Sequence, residues 1–250
     1  MTRTGLFVAL ALSLAFLVVF GLHPELDLKI AAWFYDPVTK TFPLKSNLFA
    51  IIVRDVVMWV AWAFAVPSII AVAVKFARPL KPLIMPGRTV VFLLITIVLS
   101  AGILSNLVFK GHWGRPRPVM VAEFNGPWEF KSWYDPSGAC PKNCSFFSGE
   151  GATAFWTYAP AALAPPAWRP LAYVGATLFG LATGGLRMAF GGHFLTDVLV
   201  SGLVPFFVIW LAYALIYRWP RTRLTDERVD ATLTRWALPG YRWLQRLLRR

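Results

Sequence analysis

The sequence predicts an all-α integral membrane protein with six transmembrane helices. Of its 250 residues, 57% are hydrophobic and only 15% are charged, whereas a soluble domain usually carries about 25% charged residues. The apolar residues are concentrated in long runs, which are typical of helices that cross a bilayer. These runs lie at about residues 5–22, 56–76, 89–109, 151–167, 171–186 and 197–217.

Several of these runs have features that bear on this interpretation. The first resembles a secretory signal peptide, but it is long for that role and residues 21–24 form a poor cleavage site, so we interpret it as a retained span. The third would form a helix about 30 Å long, which matches the apolar core of a bilayer. The fourth contains Pro160, which predicts a kink. A proline-rich turn at 165–170 separates the fourth run from the fifth.

Basic residues distinguish the two ends of the predicted bundle. Arg3, the loop 75–88, Arg169 and the tail 218–250 all fall on one side, which the positive-inside rule makes cytoplasmic. The loops 23–55, 110–150 and 187–196 fall on the other side. We therefore expect a multi-pass protein of the bacterial inner membrane, with residues 1–217 as the membrane domain, both termini in the cytoplasm and these loops in the periplasm.

The tail 218–250 is predicted to carry an amphipathic helix on the cytoplasmic membrane surface. Tyr241, Leu244, Leu247 and Leu248 would share one face of this helix. A helix that binds a partner protein is the alternative. The net charge of +13 does not indicate a nucleic-acid partner, because the arginines gather beside membrane spans rather than on a separate domain. The sequence does not indicate an oligomeric state.

The chain has two cysteines, Cys140 and Cys144, and both lie in one polar loop. In an oxidising compartment they could form a small structural disulfide. A metal site is the weaker alternative, since no second pair of ligands follows at zinc-like spacing.

Two motifs place cations, a histidine and a carboxylate beside glycines at the ends of apolar runs. The first is KGHWGRPRP at 110–118, and the second is RMAFGGHFLTD at 187–197. Cations clamp phosphate oxygens, a histidine can attack phosphorus, and a carboxylate can hold the imidazole. The pattern predicts a phosphoryl-transfer site at a membrane surface, and therefore a phosphorylated lipid as the substrate.

These motifs resemble the first and third motifs of the type 2 phosphatidic acid phosphatase superfamily, KxxxxxxRP and SRxxxxxHxxxD. Between them, FSGE at 147–150 stands at the place of the second motif, PSGH. The resemblance covers all six runs in their order. It implies a phosphatase that forms a phosphohistidine and needs no metal or other cofactor, because the protein itself supplies the cations. Among bacterial members, this form is most similar to lipid A phosphatases, with undecaprenyl pyrophosphate and phosphatidylglycerophosphate as competing substrates.

The resemblance implies a role for each matching residue. His193 is the expected nucleophile. Asp197, four residues later, would share a helix face with His193 and would orient its ring. Lys110, Arg117 and Arg187 correspond to the phosphate clamp.

The roles expected of the neighbouring residues follow from their positions beside the motifs. Ser148 and Gly149 would offer a hydroxyl and backbone N–H groups at the start of the fourth helix. Arg115 stands at the wrong offset from Lys110 for the clamp, so we expect it to contact a headgroup or the surface. The glycines at 191–192 either let the backbone approach the phosphate or belong to an ordinary loop.

The chain departs from the family pattern mainly at Glu150, which replaces the histidine that protonates the leaving oxygen; Leu186 also replaces a serine. Glu150 is the predicted general acid, because a bound phosphate would raise its pKa. Alternatively, Glu150 only organises Arg117 or Lys110 by ion pairing, and His112 is the reserve acid. A lipid phosphotransferase is a further alternative, and a membrane protein whose site has decayed is another.

Overall fold

The computed structural model describes residues 3–219, 221–222 and 224–248. The predicted all-α class is confirmed, because helices and the loops between them make up this part of the chain. The helices that matter for function are α1 (Arg3–Leu22), α2 (Leu26–Ala32), α3 (Leu48–Ala77), α4 (Gly87–His112), α5 (Gly149–Phe155), α6 (Tyr158–Leu163), α7 (Arg169–Ala189), α8 (Leu195–Arg218) and α9 (Asp226–Leu248).

Four of these helices, α1, α3, α4 and α8, are long and apolar enough to cross a membrane. Helix α3 carries Arg54 near one end and Lys75 near the other, and α4 carries Arg88 near one end and Lys110 near the other. In each helix these charged residues are separated by about 30 Å at the usual helical rise. This length corresponds to the apolar core of a bilayer.

The predicted fourth run does not form one helix. It is divided into α5 and α6 at Trp156 and Thr157, and Pro160, which has no N–H to donate, lies within α6. The predicted fifth run is part of α7. In the described part of the chain only α1, α3, α4 and α8 qualify as spans by length and composition. The number of six spans therefore stays a prediction.

Helices α5 and α7 pack closely because a small residue lies at their contact. A Cβ added to Gly180 of α7 would lie 2.2 Å from the ring of Phe155 in α5. Small residues let helix backbones approach in this way. The buried Trp156 Nε1 also donates a hydrogen bond to Thr96 Oγ1 in α4, at 2.9 Å. These contacts fix α5, whose first turn belongs to the site described below.

Helix α3 begins earlier than the predicted second run, at Leu48 rather than near residue 56. The side chain of Asn47 caps it by accepting a hydrogen bond from the Ala50 N–H at 2.9 Å. The added turns contain Arg54, which the predicted span had excluded. The helix thereby brings a guanidinium to the end of the bundle where α4 ends and α5 begins.

A disulfide and an aromatic cluster hold the loops at this end. Cys140 and Cys144 form the disulfide. Phe42 and Phe124 pack with the fully buried ring of Phe194, in the loop that precedes α8. The long loop between α4 and α5 is thus fixed to the segment 187–197, which carries the motif with His193 and Asp197.

The tail helix α9 docks against the opposite ends of α3 and α4. Lys75, whose side chain is 1% exposed, pairs with Asp230 at 2.8 Å, and the Arg88 N–H donates a hydrogen bond to Asp226 Oδ1 at 2.7 Å. The side chain of Leu248 and residues 249–250 lie outside the described residues. The exposed large apolar side chains of α9 are Trp236, Trp243, Leu244 and Leu247.

Candidate active site

Three cations from separate parts of the chain meet at the first turn of α5. Lys110 lies near the end of α4, Arg117 in the loop that follows, and Arg187 in the last turn of α7. Each lies within electrostatic range of Glu150 in α5. Arg117 is held by Asn143, with Nη2 donating to Oδ1 at 2.8 Å and Nε to the carbonyl at 3.1 Å. The structure therefore brings the predicted clamp residues together.

Arg187 is the most enclosed of the three cations, at 7% exposed. Burial lowers the pKa of Arg187; the charge of Glu150 opposes this effect, and the charges of Arg54 and Arg117 add to it. Its Nε is buried and has no hydrogen-bond partner among the described residues. A desolvated guanidinium with an unused donor is well suited to bind a phosphate oxygen.

The glycines at 191–192 shape the loop around Arg187. Gly191 has φ of +62°, in the left-handed region that favours glycine. A Cβ on Gly192 would lie 2.7 Å from Arg187 Nη2. The absence of a side chain at Gly192 therefore leaves room for the guanidinium of Arg187. Neither sequence-based interpretation of these glycines included this contact with Arg187.

Ser148 and Gly149 lie at the start of α5, as predicted. Ser148 Oγ accepts a hydrogen bond from the Gly151 N–H at 3.1 Å and so caps the helix. A Cβ on Gly149 would lie 2.9 Å from Lys110 Nζ. Ser148 thus stabilises the end of the helix, and Gly149 lets the Lys110 ammonium lie directly over it.

His193 lies between α7 and α8, is 2% exposed, and has its Nδ1 2.7 Å from the carbonyl oxygen of Ser145. Because a carbonyl can only accept a hydrogen bond, Nδ1 carries the proton and Nε2 keeps its lone pair. Burial lowers the pKa of His193 to about 4; Asp197 opposes this effect, and Arg187 and Arg117 add to it. The ring is therefore neutral at pH 7, the form in which Nε2 is nucleophilic.

The predicted helix face shared by His193 and Asp197 is wrong, because His193 precedes α8 and Asp197 lies in its first turn. Asp197 Oδ2 is 3.7 Å from His193 Nδ1, which is too long for a hydrogen bond. This oxygen instead accepts hydrogen bonds from the Ser145 hydroxyl and from the Phe194 N–H at 2.8 Å. Asp197 therefore holds the two backbone segments on either side of the imidazole.

Arg115 is fully buried, so the expected contact with a headgroup or the surface is wrong. Its Nη1 donates to Asp197 Oδ1, and its Nη2 donates to Asp27 Oδ2 at 2.7 Å. The guanidinium also lies 4.5 Å from the centre of the Phe194 ring. Buried charges persist only when they are paired, and the second carboxylate comes from α2, which the motif offsets did not include.

Glu150 is held by a forked ion pair that the sequence analysis did not predict. Arg54 Nη2 lies 2.6 Å from Oε1, and Arg54 Nε lies 3.1 and 3.0 Å from the two carboxylate oxygens. Arg187 Nε lies 3.6 Å from Oε2. Burial raises the pKa of Glu150, but Arg54 and Arg187 outweigh this effect and lower it. The ionised form is favoured, which supports the organising role, although the partners are not the predicted Arg117 and Lys110.

His112 is exposed, and its Nδ1 lies 2.9 Å from the Val108 carbonyl in the same helix. In the part of the chain that the structure describes, no hydrogen bond or ion pair joins His112 to the other site residues. The structure therefore does not bring this predicted reserve acid into the cluster around His193.

Three contacts of the site were missed from the sequence: Arg54 with Glu150, Ser145 with His193, and Asp27 with Arg115. Arg54 did leave a signal, because a charged residue at the edge of an apolar run is costly and tends to be functional. Ser145 acts on His193 through its backbone carbonyl, which any residue would supply. The pairing of Asp27 with Arg115 joins positions far apart in the chain, and no spacing rule predicts it.

Comparison with known proteins supports the class of protein that this geometry defines. Residues 89–221, more than half of the chain, match the PAP2 superfamily. The chain belongs to this superfamily, and it is accordingly a phosphoric monoester hydrolase with membrane-spanning helices. The matched region contains all three motifs, whereas α2 and α3, which supply Asp27 and Arg54, lie outside it.

The similar proteins include two bacterial enzymes of the same name. A lipid A 4'-phosphatase of Francisella tularensis subsp. novicida (strain U112) is 34% identical over 205 residues, which cover 80% of this chain and 90% of that protein. A lipid A 4'-phosphatase of Rhizobium leguminosarum is 35% identical over 108 residues, or 43% of this chain and 46% of that protein. No solved structure matches the chain.

Proposed function

We propose that this protein removes a phosphate from lipid A at the periplasmic face of the bacterial inner membrane. The observation that carries the proposal is the buried, neutral His193, whose Nδ1 proton is held by the Ser145 carbonyl so that Nε2 keeps its lone pair. The choice of lipid is supported by the Francisella lipid A 4'-phosphatase, which aligns over 90% of its length.

In the proposed first step, His193 Nε2 attacks phosphorus and the bond from phosphorus to the lipid oxygen breaks. Lys110, Arg117 and Arg187 bind the phosphoryl oxygens, where preorganised cations stabilise the transition state most. The product is a phosphohistidine whose ring carries a positive charge. In the second step water attacks phosphorus, which releases inorganic phosphate and restores the lone pair of Nε2.

The leaving lipid oxygen needs a proton, and we propose that Glu150 supplies it only after substrate binds. In the structure Arg54 and Arg187 keep Glu150 ionised. A phosphate dianion would compete for these guanidinium groups and repel the carboxylate, and both effects favour protonation of Glu150. Glu150 would then change from organiser of the arginines to general acid. His112 remains the alternative donor.

The proposed periplasmic site follows from the charges at the two ends of the bundle. Helix α9 binds the basic loop 75–88 through the ion pair of Lys75 with Asp230. Lys110 and Arg54 lie at the other ends of α4 and α3. The positive-inside rule assigns the basic end, with both termini, to the cytoplasm. The disulfide at the site end is typical of an oxidising compartment such as the periplasm.

We expect single cysteines at the two ends to react differently with a membrane-impermeant maleimide on intact cells. Ser137 lies on the proposed periplasmic side and Ala231 on the cytoplasmic side, and both are exposed. The native cysteines form a disulfide and leave no free thiol. Ser137→Cys should be labelled, and Ala231→Cys should be labelled only after the cells are opened. Labelling of Ala231→Cys alone on intact cells would contradict the orientation.

Phosphate release by the purified protein should be fastest on lipid A in a panel that includes undecaprenyl pyrophosphate and phosphatidylglycerophosphate. His193→Ala should lower the rate by at least about a thousandfold, because no other group replaces the nucleophile. Faster turnover of another lipid would change the proposed substrate. Label that moves to a second lipid would indicate a phosphotransferase, and inactivity on every lipid would indicate a decayed site.

Glu150→Gln tests the proposed proton donor. The variant should be nearly inactive on a lipid phosphomonoester, whose alkoxide needs a proton, and should lose much less activity on an aryl phosphate, whose leaving group does not. His112→Gln is the matched variant and should lose little on either substrate. An equal loss of Glu150→Gln on both substrates would show that Glu150 only organises the arginines. Leaving-group dependence in His112→Gln would assign the proton to His112.

A further inference from the structure

A buried network of two aspartates and one arginine lies behind His193, on the side of Asp197. Asp27, Arg115 and Asp197 are each fully buried, and we call them the Asp27 network. The two nitrogens at the end of the Arg115 side chain are divided between the carboxylates, with Nη1 on Asp197 and Nη2 on Asp27. Thr196 joins the network, because its N–H donates to Asp27 Oδ1 at 3.0 Å.

The charges of the Asp27 network do not cancel. Burial raises the pKa of Asp27, and Arg115 and Thr196 oppose this effect. The hydrogen bonds of Asp27 with Arg115 Nη2, the Thr196 N–H and the Thr196 hydroxyl are all donated to it, which is the pattern of a carboxylate. With Asp27 and Asp197 both ionised and sharing one guanidinium, the network retains one negative charge in a buried region. If Asp27 were neutral, Arg115 would be left to Asp197 alone and the remaining pair would have no net charge. Asp27 therefore determines how much of the negative charge of Asp197 is neutralised by Arg115. The remainder of that charge acts on the other neighbours of Asp197.

One of those neighbours is the nucleophile, since Asp197 Oδ2 lies 3.7 Å from His193 Nδ1. When Nε2 bonds to phosphorus while Nδ1 keeps its proton, the ring acquires a positive charge. Within a buried site, such a charge is stabilised by a nearby negative charge much more than in water. Other charged groups also act on the ring, and those on the substrate side are Arg117, Arg187 and Glu150.

We propose that Asp27 is a positioning residue for catalysis, because it takes up part of the charge of Arg115 and so leaves the Asp197 carboxylate free to stabilise the phosphorylated His193. The proposal rests on the proposed nucleophilic role of His193. It extends the site to α2, which lies outside the region that matches the superfamily. In this arrangement Asp27 never touches the substrate, and its effect passes through Arg115 and Asp197.

Two inhibitors separate this role from a general effect on the fold. Orthovanadate can bond to Nε2 as a five-coordinate mimic of the transition state, so its affinity depends on the stability of a charged ring. Inorganic phosphate binds the cation clamp without bonding to His193. We would measure the inhibition constants of orthovanadate and of inorganic phosphate, together with kcat and KM on a lipid phosphomonoester. The variants are Asp27→Asn, Asp27→Glu, and the double variant Asp27→Asn with Arg115→Gln. Asp36→Asn, in the loop that follows α2, is the control.

Asp27→Asn should lower kcat and vanadate affinity together, by about tenfold to a hundredfold, and should leave phosphate affinity unchanged. Asp27→Glu keeps the charge and should retain most of both. The double variant removes one negative and one positive charge, so the net charge of the network returns to its original value. Its vanadate affinity should therefore exceed that of Asp27→Asn.

Several results would overturn the proposal. Equal losses of vanadate and phosphate affinity in Asp27→Asn would indicate damage to the whole site, and no loss of vanadate affinity would show that Asp27 does not act on His193. If Asp27→Asn fails to fold, the double variant is compared with the original protein, and a vanadate affinity more than about tenfold weaker would contradict the charge argument. Activity of His193→Ala would instead refute the proposed function itself.

Discussion

The Asp197 carboxylate holds together the parts on which the site depends. Its Oδ2 accepts hydrogen bonds from the Ser145 hydroxyl and the Phe194 N–H, and its Oδ1 accepts one from Arg115. The carbonyl of Ser145 holds the Nδ1 proton of His193. One buried carboxylate therefore fixes the loop before α5, the start of α8 and the tautomer of His193. Without it, the two backbone segments around the imidazole would lose their common acceptor.

The carboxylates on the two sides of the His193 ring differ in their surroundings and in their effects. On one side, Glu150 pairs with Arg54 and with Arg187 of the clamp, and it offsets the repulsion between these like charges. On the other side, the Asp27 network retains a negative charge behind the ring. A phosphate would thus enter between cations that bind its oxygens and a histidine whose developing charge is balanced from behind.

Much of the site could be predicted from the sequence because its motifs carry the reacting groups at fixed spacing. The order of the helices and the convergence of Lys110, Arg117 and Arg187 followed from that spacing and from the apolar runs. Arg54 was missed because the predicted span began too late, after the charged turn of α3 that Asn47 caps. The break between α5 and α6 was underestimated, because Pro160 predicted a kink but not two separate helices.

The role of Arg115 shows a different limit. The number of residues between Lys110 and Arg115 excluded Arg115 from the phosphate clamp. This spacing cannot predict that Asp27 of α2, which is distant in the chain, lies beside Arg115. Full burial of an arginine with two carboxylates is a property of the packed structure. Similarly, the shared helix face of His193 and Asp197 was inferred from their spacing, whereas α8 begins only after His193.

The most direct test of this mechanism is to identify the residue, and the ring nitrogen, that carry phosphate during turnover. The purified protein is mixed with a lipid phosphomonoester, quenched at alkaline pH, and analysed by mass spectrometry and ³¹P NMR. The tautomer held by the Ser145 carbonyl predicts that phosphate is found on His193, bonded to Nε2. Phosphate on another residue, or on Nδ1 of His193, would contradict it.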